Sequence, residues 1–249
     1  MKRLEGKVAI VTGAAGDIGR AIAALFVAEG ARVLCTDVDL EGAQRSAQAA
    51  GAPAVALRCD VADAASAKAS VKAAEERFGA LHILVNNAAL VSPYEPVPVL
   101  EEAAWRSALD VNLTGAFLMS KYAIPAMVRA GGGSIVHMAS QMGHVGAPGR
   151  AAYGVTKAGL IHLAKIMALD HGAQGIRVNS LSPGAVLTSR VIKRYGSAEA
   201  VRAKLGPLYP IGRVGDPADV AQAAVFLASD EASFVTGTDF LVDGGYTAQ

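Results

Sequence analysis

The sequence has few cysteines and no excess of either charge. Its two cysteines, Cys35 and Cys59, each lie in an apolar run, where a thiol usually behaves as a small buried hydrophobe. They indicate a reducing compartment and no disulfide framework. Twenty-three lysines and arginines stand against 22 acidic residues, which leaves no general attraction to phosphate backbones or anionic lipid. We therefore expect no nucleic-acid partner and no membrane-surface partner.

Long hydrophobic runs are also missing. No uncharged apolar run reaches the ~18 residues that a membrane-spanning helix needs. Lys2 and Arg3 precede an apolar stretch, but Glu5, Lys7 and the short length of the run Val8–Val11 argue against an export signal. The histidines lack metal-ligand spacing and no Cys-x-x-Cys pair occurs, so no metal site is predicted. We expect a cytoplasmic protein.

What the chain does contain is a regular alternation of two patterns. Apolar residues make up 52% of its 249 positions, enough for a sizeable core. Short apolar runs alternate with segments of helical spacing, which gives right-handed crossovers and a parallel sheet covered on both faces. The pattern predicts a doubly wound α/β fold of Rossmann type with seven strands, at Val8–Val11, Val33–Cys35, Val55–Leu57, Ile83–Val85, Ile135–Met138, Val178–Leu181 and Phe240–Val242.

Residues 188–215 break this alternation. They contain two short helical pieces between Pro183 and Pro217, too long and too apolar for a simple connection. Long ordered insertions are often lids over a site. An extra helix packed on the core or on a neighbouring subunit is the alternative. We expect residues 1–249 to form one domain with a substrate lid at about 188–215.

A glycine-rich turn follows the first predicted strand and opens a helix. In the segment Thr12–Gly19, glycines permit a tight turn and close backbone approach, and the helix start suits a pyrophosphate. Asp37 ends the second strand near the ~20-residue offset at which a carboxylate meets an adenosine ribose. Both features have ordinary alternatives, a plain turn and a helix-capping aspartate. Taken together they favour NAD over NADP, because Gly16 and Val38 supply no positive charge for a 2′-phosphate.

The next two strands also end in groups suited to a ligand. Asp60 and Val61 follow the third strand, where a carboxylate and a backbone amide could recognise an adenine edge. Asn87 and Ala88 follow the fourth, where small side chains permit close approach. Four consecutive strand ends of this kind indicate one extended ligand along the carboxyl edge of the sheet.

Tyr153 and Lys157 lie four residues apart, so they share one face of a helix. This helix follows the fifth strand, whose end supplies Ser140. A free phenol titrates near ~10 and must lose ~3 pH units, or about 4 kcal/mol, to act as a base near neutrality. One ammonium ~4 Å away supplies about that much only at an effective dielectric near 20. Lys157 can therefore activate Tyr153 only in a largely dry site.

With these motifs the chain resembles the short-chain dehydrogenases/reductases over essentially its full length. The resemblance also includes Asn112, Asn179, Pro183 and Gly184. It implies a nicotinamide-dependent alcohol–carbonyl interconversion in which Tyr153 is the acid/base, Ser140 orients the substrate oxygen, Lys157 assists and Asn112 holds a water in a proton relay. It further implies a homotetramer. The predicted cofactor-binding residues are Thr12, Gly13, Asp17, Ile18, Gly19, Asp37, Asp60, Val61, Asn87, Ala88, Tyr153, Lys157, Pro183, Gly184, Val186 and Thr188.

Two positions depart from the family pattern. Asp17 stands where the turn usually has a glycine, and Ala89 stands where a glycine usually follows Asn-Asn-Ala. Asp tolerates unusual backbone angles better than most residues, so the turn can survive. The added carboxylate of Asp17 also disfavours binding of a cofactor that carries an additional phosphate.

The expected substrate is a compact cyclic or hydrophobic secondary alcohol or its ketone. Its predicted pocket is mostly apolar with two polar exceptions, Gln141 and His144. A sugar or polyol, an NADPH-dependent 3-oxoacyl-type reduction and an NAD-sensing binding module without chemistry are the alternatives. The predicted pocket residues are Leu90, Val91, Gln141, Met142, His144, Val145, Leu187, Tyr195, Leu208 and Tyr209.

Overall fold

The computed structural model describes residues 2–249, and its centre is one parallel sheet of seven strands. The strands are β1 (Val8–Thr12), β2 (Arg32–Asp37), β3 (Val55–Arg58), β4 (Ile83–Asn86), β5 (Gly133–Met138), β6 (Ile176–Pro183) and β7 (Asp239–Val242). Each contains one of the seven predicted apolar runs, so the predicted fold class is confirmed. Their order is β3-β2-β1-β4-β5-β6-β7.

Residues 2–249 form nine α-helices, most of which flank the sheet. They are α1 (Asp17–Ala28), α2 (Leu40–Ala50), α3 (Ala64–Phe78), α4 (Glu102–Leu109), α5 (Gly115–Arg129), α6 (Ala151–His171), α7 (Ser189–Tyr195), α8 (Ala198–Leu205) and α9 (Pro217–Ala228). A π-helical turn, Asp110–Thr114, joins α4 to α5. None of the described helices is long and apolar enough to cross a membrane.

The strands are apolar on both faces because each face packs against helices. On β1, Ala9 and Val11 belong to a core that includes Phe26 of α1 and residues of α9. Ile10 points to the other face and packs with Met119 of α5 and residues of α3 and α6. Successive strand side chains point to opposite faces, so a strand buried on both sides reads as a continuous apolar run.

The strand order reverses next to β1, which pairs with β2 on one side and β4 on the other. In sheets of this type a crevice opens at that point, outside the carboxyl ends of the strands. The segment 188–215 lies beside this crevice and contains the two short helices predicted for it, α7 and α8. A small core of its own, built around Val201, Tyr209 and Val214, holds this segment together.

Candidate active site

A cleft of about 890 Å³ runs along the carboxyl edge of the sheet. This volume lies at the upper end of the range for small-molecule and cofactor sites. Most of the predicted site residues line it, whereas Thr12, Asn112, His144, Val145 and Leu187 do not. The predicted residues that line the cleft are Gly13, Asp17, Ile18, Gly19, Asp37, Asp60, Val61, Asn87, Ala88, Leu90, Val91, Ser140, Gln141, Met142, Tyr153, Lys157, Pro183, Gly184, Val186, Thr188, Tyr195, Leu208 and Tyr209.

The glycine-rich turn brings the start of α1 to the cleft. Gly13 has a φ of 65°, and a Cβ there would lie 2.7 Å from Ala88 Cα. The N-cap of α1 is Gly16, which contributes no side-chain hydrogen bond, whereas Asp39 and Asp63 cap α2 and α3. The first turn of α1 therefore presents uncapped amide groups to the cleft, which is the donor set that a pyrophosphate requires. These residues fit a dinucleotide.

Thr12 and Asn87 hold the turn in place. Thr12 Oγ1 accepts hydrogen bonds from the backbone N–H groups of Asn87 (2.9 Å) and Ala88 (3.0 Å). The Asn87 side-chain amide donates to the carbonyl oxygens of Thr12 (2.9 Å) and Gly13 (3.1 Å). The structure thus gives Thr12 a supporting position behind the cleft, since its hydroxyl bonds to Val85 O of β4 and to the two residues that follow this strand.

Two carboxylates, Asp37 and Asp60, line the cleft at the ends of β2 and β3. Asp37 Oδ2 accepts from Ala15 N and its Oδ1 accepts from Asp39 N, both at 3.0 Å. Asp60 Oδ1 accepts from Ala62 N at 3.0 Å. These bonds fix both carboxylates at the cleft wall, one on β2 and the other just beyond β3.

Asp17 does not need an unusual backbone conformation, contrary to the sequence argument, because no non-glycine residue among those described has a positive φ. Its carboxylate instead joins two elements. Oδ2 accepts hydrogen bonds from Ser189 N (2.8 Å) and Ser189 Oγ (2.6 Å) at the start of α7, and Oδ1 pairs with Arg20. Burial raises the pKa of Asp17, but the Ser189 bonds and the charge of Arg20 outweigh it, so the net pKa is lowered.

Lys157 is the most deeply buried charged group of the site. Its side chain is 2% exposed, and Nζ donates to the carbonyl oxygen of Met138 at 2.6 Å. Burial, assisted by the positive charge of Arg190, lowers its pKa to about 7. The dry site required by the sequence argument is therefore present around this amine.

The pKa of Tyr153 moves in the direction opposite to the one expected. Burial raises it, and the Ser140 hydroxyl with the charges of Arg150 and Arg190 offsets part of the rise. Lys157 is not among the groups that lower it; the amine donates to Met138 O, and its own pKa is lowered to about 7. In the protein without a bound cofactor, the positive charge that acts on the Tyr153 phenol comes from Arg150 and Arg190.

Asn112 lies in the π-helical turn and is 1% exposed. Its Nδ2 donates to Leu90 O (2.9 Å) and Thr156 Oγ1 (3.2 Å), and its Oδ1 accepts from Leu90 N (2.7 Å). Both protons of the Asn112 side-chain amide are therefore engaged in hydrogen bonds. A relay water could bind this residue only by donating a hydrogen bond to one of its oxygens. The side chain connects the loop after β4 to α6, the helix that carries Tyr153.

Three predicted pocket residues, His144, Val145 and Leu187, lie outside the cleft. His144 Nε2 is 2.7 Å from Asp239 Oδ2, so a carboxylate at the start of β7 holds the ring. Leu187 packs into the small core of residues 188–215. Two other predicted substrate residues, Gln141 and Tyr209, bind each other: Tyr209 Oη donates to Gln141 Oε1 at 3.3 Å. The same hydroxyl accepts from Ala185 N at 2.7 Å. Both side chains are buried and form a wall of the cleft.

Sequence reasoning missed three arginines that line the cleft. Arg150 precedes α6, while Arg190 and Arg194 lie on α7. The pocket is therefore not apolar with two polar exceptions, as the sequence argument stated. The spacing of Arg190 and Arg194 held the missing signal, because two cations four residues apart share one face of a helix.

The fold and this cleft together define a nicotinamide-dependent oxidoreductase. A family model described as enoyl-(acyl carrier protein) reductase matches residues 13–247. The chain is 44% identical to D-threitol dehydrogenase of Mycolicibacterium smegmatis, covering 98% of this chain and 94% of that protein. It is 40% identical to cyclohexanol dehydrogenase of an Acinetobacter species, covering 99% and 97%.

A solved structure is similar throughout. It is a protein from Burkholderia xenovorans described as a short-chain dehydrogenase/reductase, with 42% identity, a TM-score of 0.93 and coverage of 100% of this chain and 99% of that one. The chain belongs to the short-chain dehydrogenase/reductase family, as its motifs indicated.

Proposed function

We propose that the protein is an NAD-dependent dehydrogenase that oxidises a secondary alcohol to a ketone. The observation that carries this proposal is the placement of Tyr153, Ser140 and the buried amine of Lys157 on one cleft that extends to Asp37. A group that exchanges a proton and a site for a dinucleotide thus share one cavity. A module that only senses dinucleotides would not need this proton-transfer group.

In the proposed reaction Tyr153 accepts the proton of the alcohol while Ser140 donates a hydrogen bond to the oxygen as its charge develops. A bound nicotinamide supplies the hydride acceptor and, when oxidised, a further positive charge. Lys157, with a pKa of about 7, can hold or release a proton within the working pH range. Asn112 keeps α6 and the loop after β4 in register, so that the phenol faces the substrate.

For the cofactor we propose NAD rather than NADP. Asp37 presents a carboxylate at the end of β2, and Val38, 56% exposed beside it, supplies no charge. A carboxylate accepts hydrogen bonds from ribose hydroxyls and repels a 2′-phosphate. The family model's description concerns a reductase, so a clear preference for NADPH would favour the reductase alternative instead.

For the substrate we propose a compact cyclic alcohol, with a polyol as the second candidate. Cyclohexanol dehydrogenase, the Acinetobacter relative, supports the first, and D-threitol dehydrogenase supports the second. Apolar groups of Leu90, Val91, Met142 and Leu208 line the cleft and suit a ring better than a row of hydroxyls. The homotetramer, the cytoplasmic location and the action of residues 188–215 as a lid stay predictions.

The deciding experiment measures NAD reduction by absorbance with a panel of cyclic alcohols and polyols, for the natural protein and for Tyr153→Phe. We expect loss of the phenolic hydroxyl to lower kcat by roughly 10²- to 10⁴-fold. Tyr122→Phe is the matched control, because Tyr122 lies on α5 away from the cleft. Retention of most of the activity by Tyr153→Phe would refute the mechanism.

A further inference from the structure

A column of alternating cations and aromatic rings runs from the lid to the reacting phenol. The guanidinium carbon of Arg194 lies 3.6 Å from the centroid of the Tyr94 ring, and that of Arg150 lies 3.9 Å from the same centroid. Two groups this close to one centroid cannot share a face, so the Tyr94 ring lies between them. Arg150 also lies 4.6 Å from the centroid of the Tyr153 ring.

This column joins three parts of the chain. Tyr94 belongs to the loop after β4, Arg150 precedes α6, and Arg194 lies on α7. Cation–π contacts account for the stacking but use only the flat faces of the guanidinium groups. Their N–H groups, which lie in the plane at the edges, remain to be paired.

The column lacks a compensating negative charge. Within residues 2–249 neither Arg150 nor Arg194 forms an ion pair or a side-chain hydrogen bond, and Nη1 of Arg150 is both buried and without a partner. Burial lowers the pKa of Arg150; Tyr153 opposes this in part, and the charge of Arg190 lowers it further. Arg150 is half-buried and Arg194 is exposed, so the unsatisfied group is the buried Nη1 of Arg150. A buried donor without an acceptor is unfavourable, and a ligand with an acceptor oxygen would satisfy it.

The acidic residues of the cleft cannot serve as that partner. Asp17, Asp37 and Asp60 all lie at the end formed by β1–β3 and the glycine-rich turn, and their oxygens accept the backbone bonds described above. The column lies at the opposite end, against Tyr153. Arg150 stacks on the Tyr153 ring, so its unpaired Nη1 lies close to the proposed acid/base rather than at the start of α1.

We propose that Arg150 and Arg194 together bind an anionic group, a carboxylate or a sulfonate, carried by the alcohol substrate. The inference rests on the proposed function, since it assigns the substrate class of the same cleft. Planar guanidinium groups match such oxyanions in bidentate geometry. Because Arg150 touches both Tyr94 and Tyr153, the anion lies only a few bonds from the carbinol carbon, as in a hydroxy acid with a small ring or a short chain.

The test compares two cyclic alcohols that differ by one carboxylate group, cyclohexanol and cis-4-hydroxycyclohexanecarboxylate. For the natural protein we expect kcat/KM to favour the charged alcohol by about 10-fold or more, mainly through KM. In Arg194→Met, and separately in Arg150→Lys, we expect the ratio of the two kcat/KM values to fall by about 10- to 100-fold. Lys193→Met is the matched control, because Lys193 neighbours Arg194 on α7 but does not line the cleft.

A binding measurement separates this inference from the proposed function. Isothermal calorimetry with cyclohexanecarboxylate and with cyclohexanesulfonate, neither of which can be oxidised, should detect binding to the natural protein and not to Arg194→Met. The tighter of the two ligands identifies the anion as a carboxylate or a sulfonate. If neither these alcohols nor any member of the panel is oxidised, the proposed function fails, and calorimetry alone decides the anion site.

Three results would overturn the inference. One is equal use of the neutral and the charged alcohol by the natural protein. Another is an equal loss on both alcohols in the arginine variants, which would make the column a purely structural stack. The third is the absence of binding for both anions.

Discussion

Replacement of Lys157 by Met should make the cofactor-free protein more stable at neutral pH while abolishing its activity. In the fold the amine is 2% exposed, and its pKa is about 7 against an ordinary 10.5. At 1.36 kcal/mol per pH unit, holding this amine inside the protein costs about 5 kcal/mol at pH 7 and below. Methionine has a similar length and carries no charge to desolvate.

The gain is smaller than this penalty, because the variant also loses the hydrogen bond from Nζ to Met138 O. An unsatisfied buried carbonyl costs about 1 to 3 kcal/mol. The net gain at pH 7 is therefore about 2 to 4 kcal/mol, which for a chain of this length raises Tm by roughly 5 to 10 °C.

The stability difference between the two proteins should depend on pH in a defined direction. Between about pH 7 and pH 10.5 the unfolded natural protein keeps a proton on Lys157 that the folded protein has released. The unfolded state then binds more protons, so the free energy of unfolding of the natural protein rises with pH across this window. The advantage of Lys157→Met should therefore shrink from pH 7 to pH 10.

The assay is thermal unfolding followed by circular dichroism at pH 6, 7, 8.5 and 10 without cofactor. Lys165→Met is the matched control, since Lys165 is exposed on the same helix, and its Tm should change little. The reasoning fails if Lys157→Met is less stable than the natural protein at pH 7. It fails equally if the difference between the two is the same at pH 7 and pH 10.

Three further predictions concern the cofactor end of the cleft. Asp37→Ser should raise the kcat/KM ratio of NADP to NAD on the order of 10- to 100-fold, because it removes the charge that repels a 2′-phosphate; an unchanged ratio would contradict the cofactor assignment. Gly13→Ala should lower the free energy of unfolding by about 3 kcal/mol or more in denaturant titration, since its Cβ would meet Ala88 at a φ of 65°; a stable variant would refute the packing argument. Asp17→Ala should increase amide hydrogen exchange at the start of α7 by about 10-fold or more, with Ser189→Ala intermediate because it keeps the backbone bond; equal exchange in all three proteins would show that this contact does not hold α7.

The sequence identified the fold because its signal is local and repeated. A run such as Val8–Val11 is apolar on both faces, and its alternation with helical segments along the chain indicates parallel strands covered by helices. The strand-end residues Asp37, Asp60 and Asn87 could be placed together for the same reason, since parallel strands end at one edge of the sheet. Each prediction required only the direction of the chain and the period of its side chains.

What the sequence could not show depends on contacts between distant segments. His144 was assigned to the pocket by its distance from Ser140 along the chain, yet Asp239, 95 residues away, holds its ring outside the cleft. The direction of the Tyr153 pKa depends on burial and on Arg150 and Arg190, three effects with no common motif. Long-range pairing of charges follows from the folded arrangement, and the spacing of a motif does not contain it.

The π-helical turn between α4 and α5 limits which deletions the chain can accept. Its wider ring contains one residue more than an α-helical turn, and one residue corresponds to a rotation of about 100° about the helix axis. Deleting a single residue from Asp110–Thr114 would restore a regular α-helix and rotate Asn112 away from Leu90 and Thr156. The irregular turn therefore sets the rotation of α5 relative to α4, and a variant that replaces it with a regular α-helix would turn these two helices out of their native alignment.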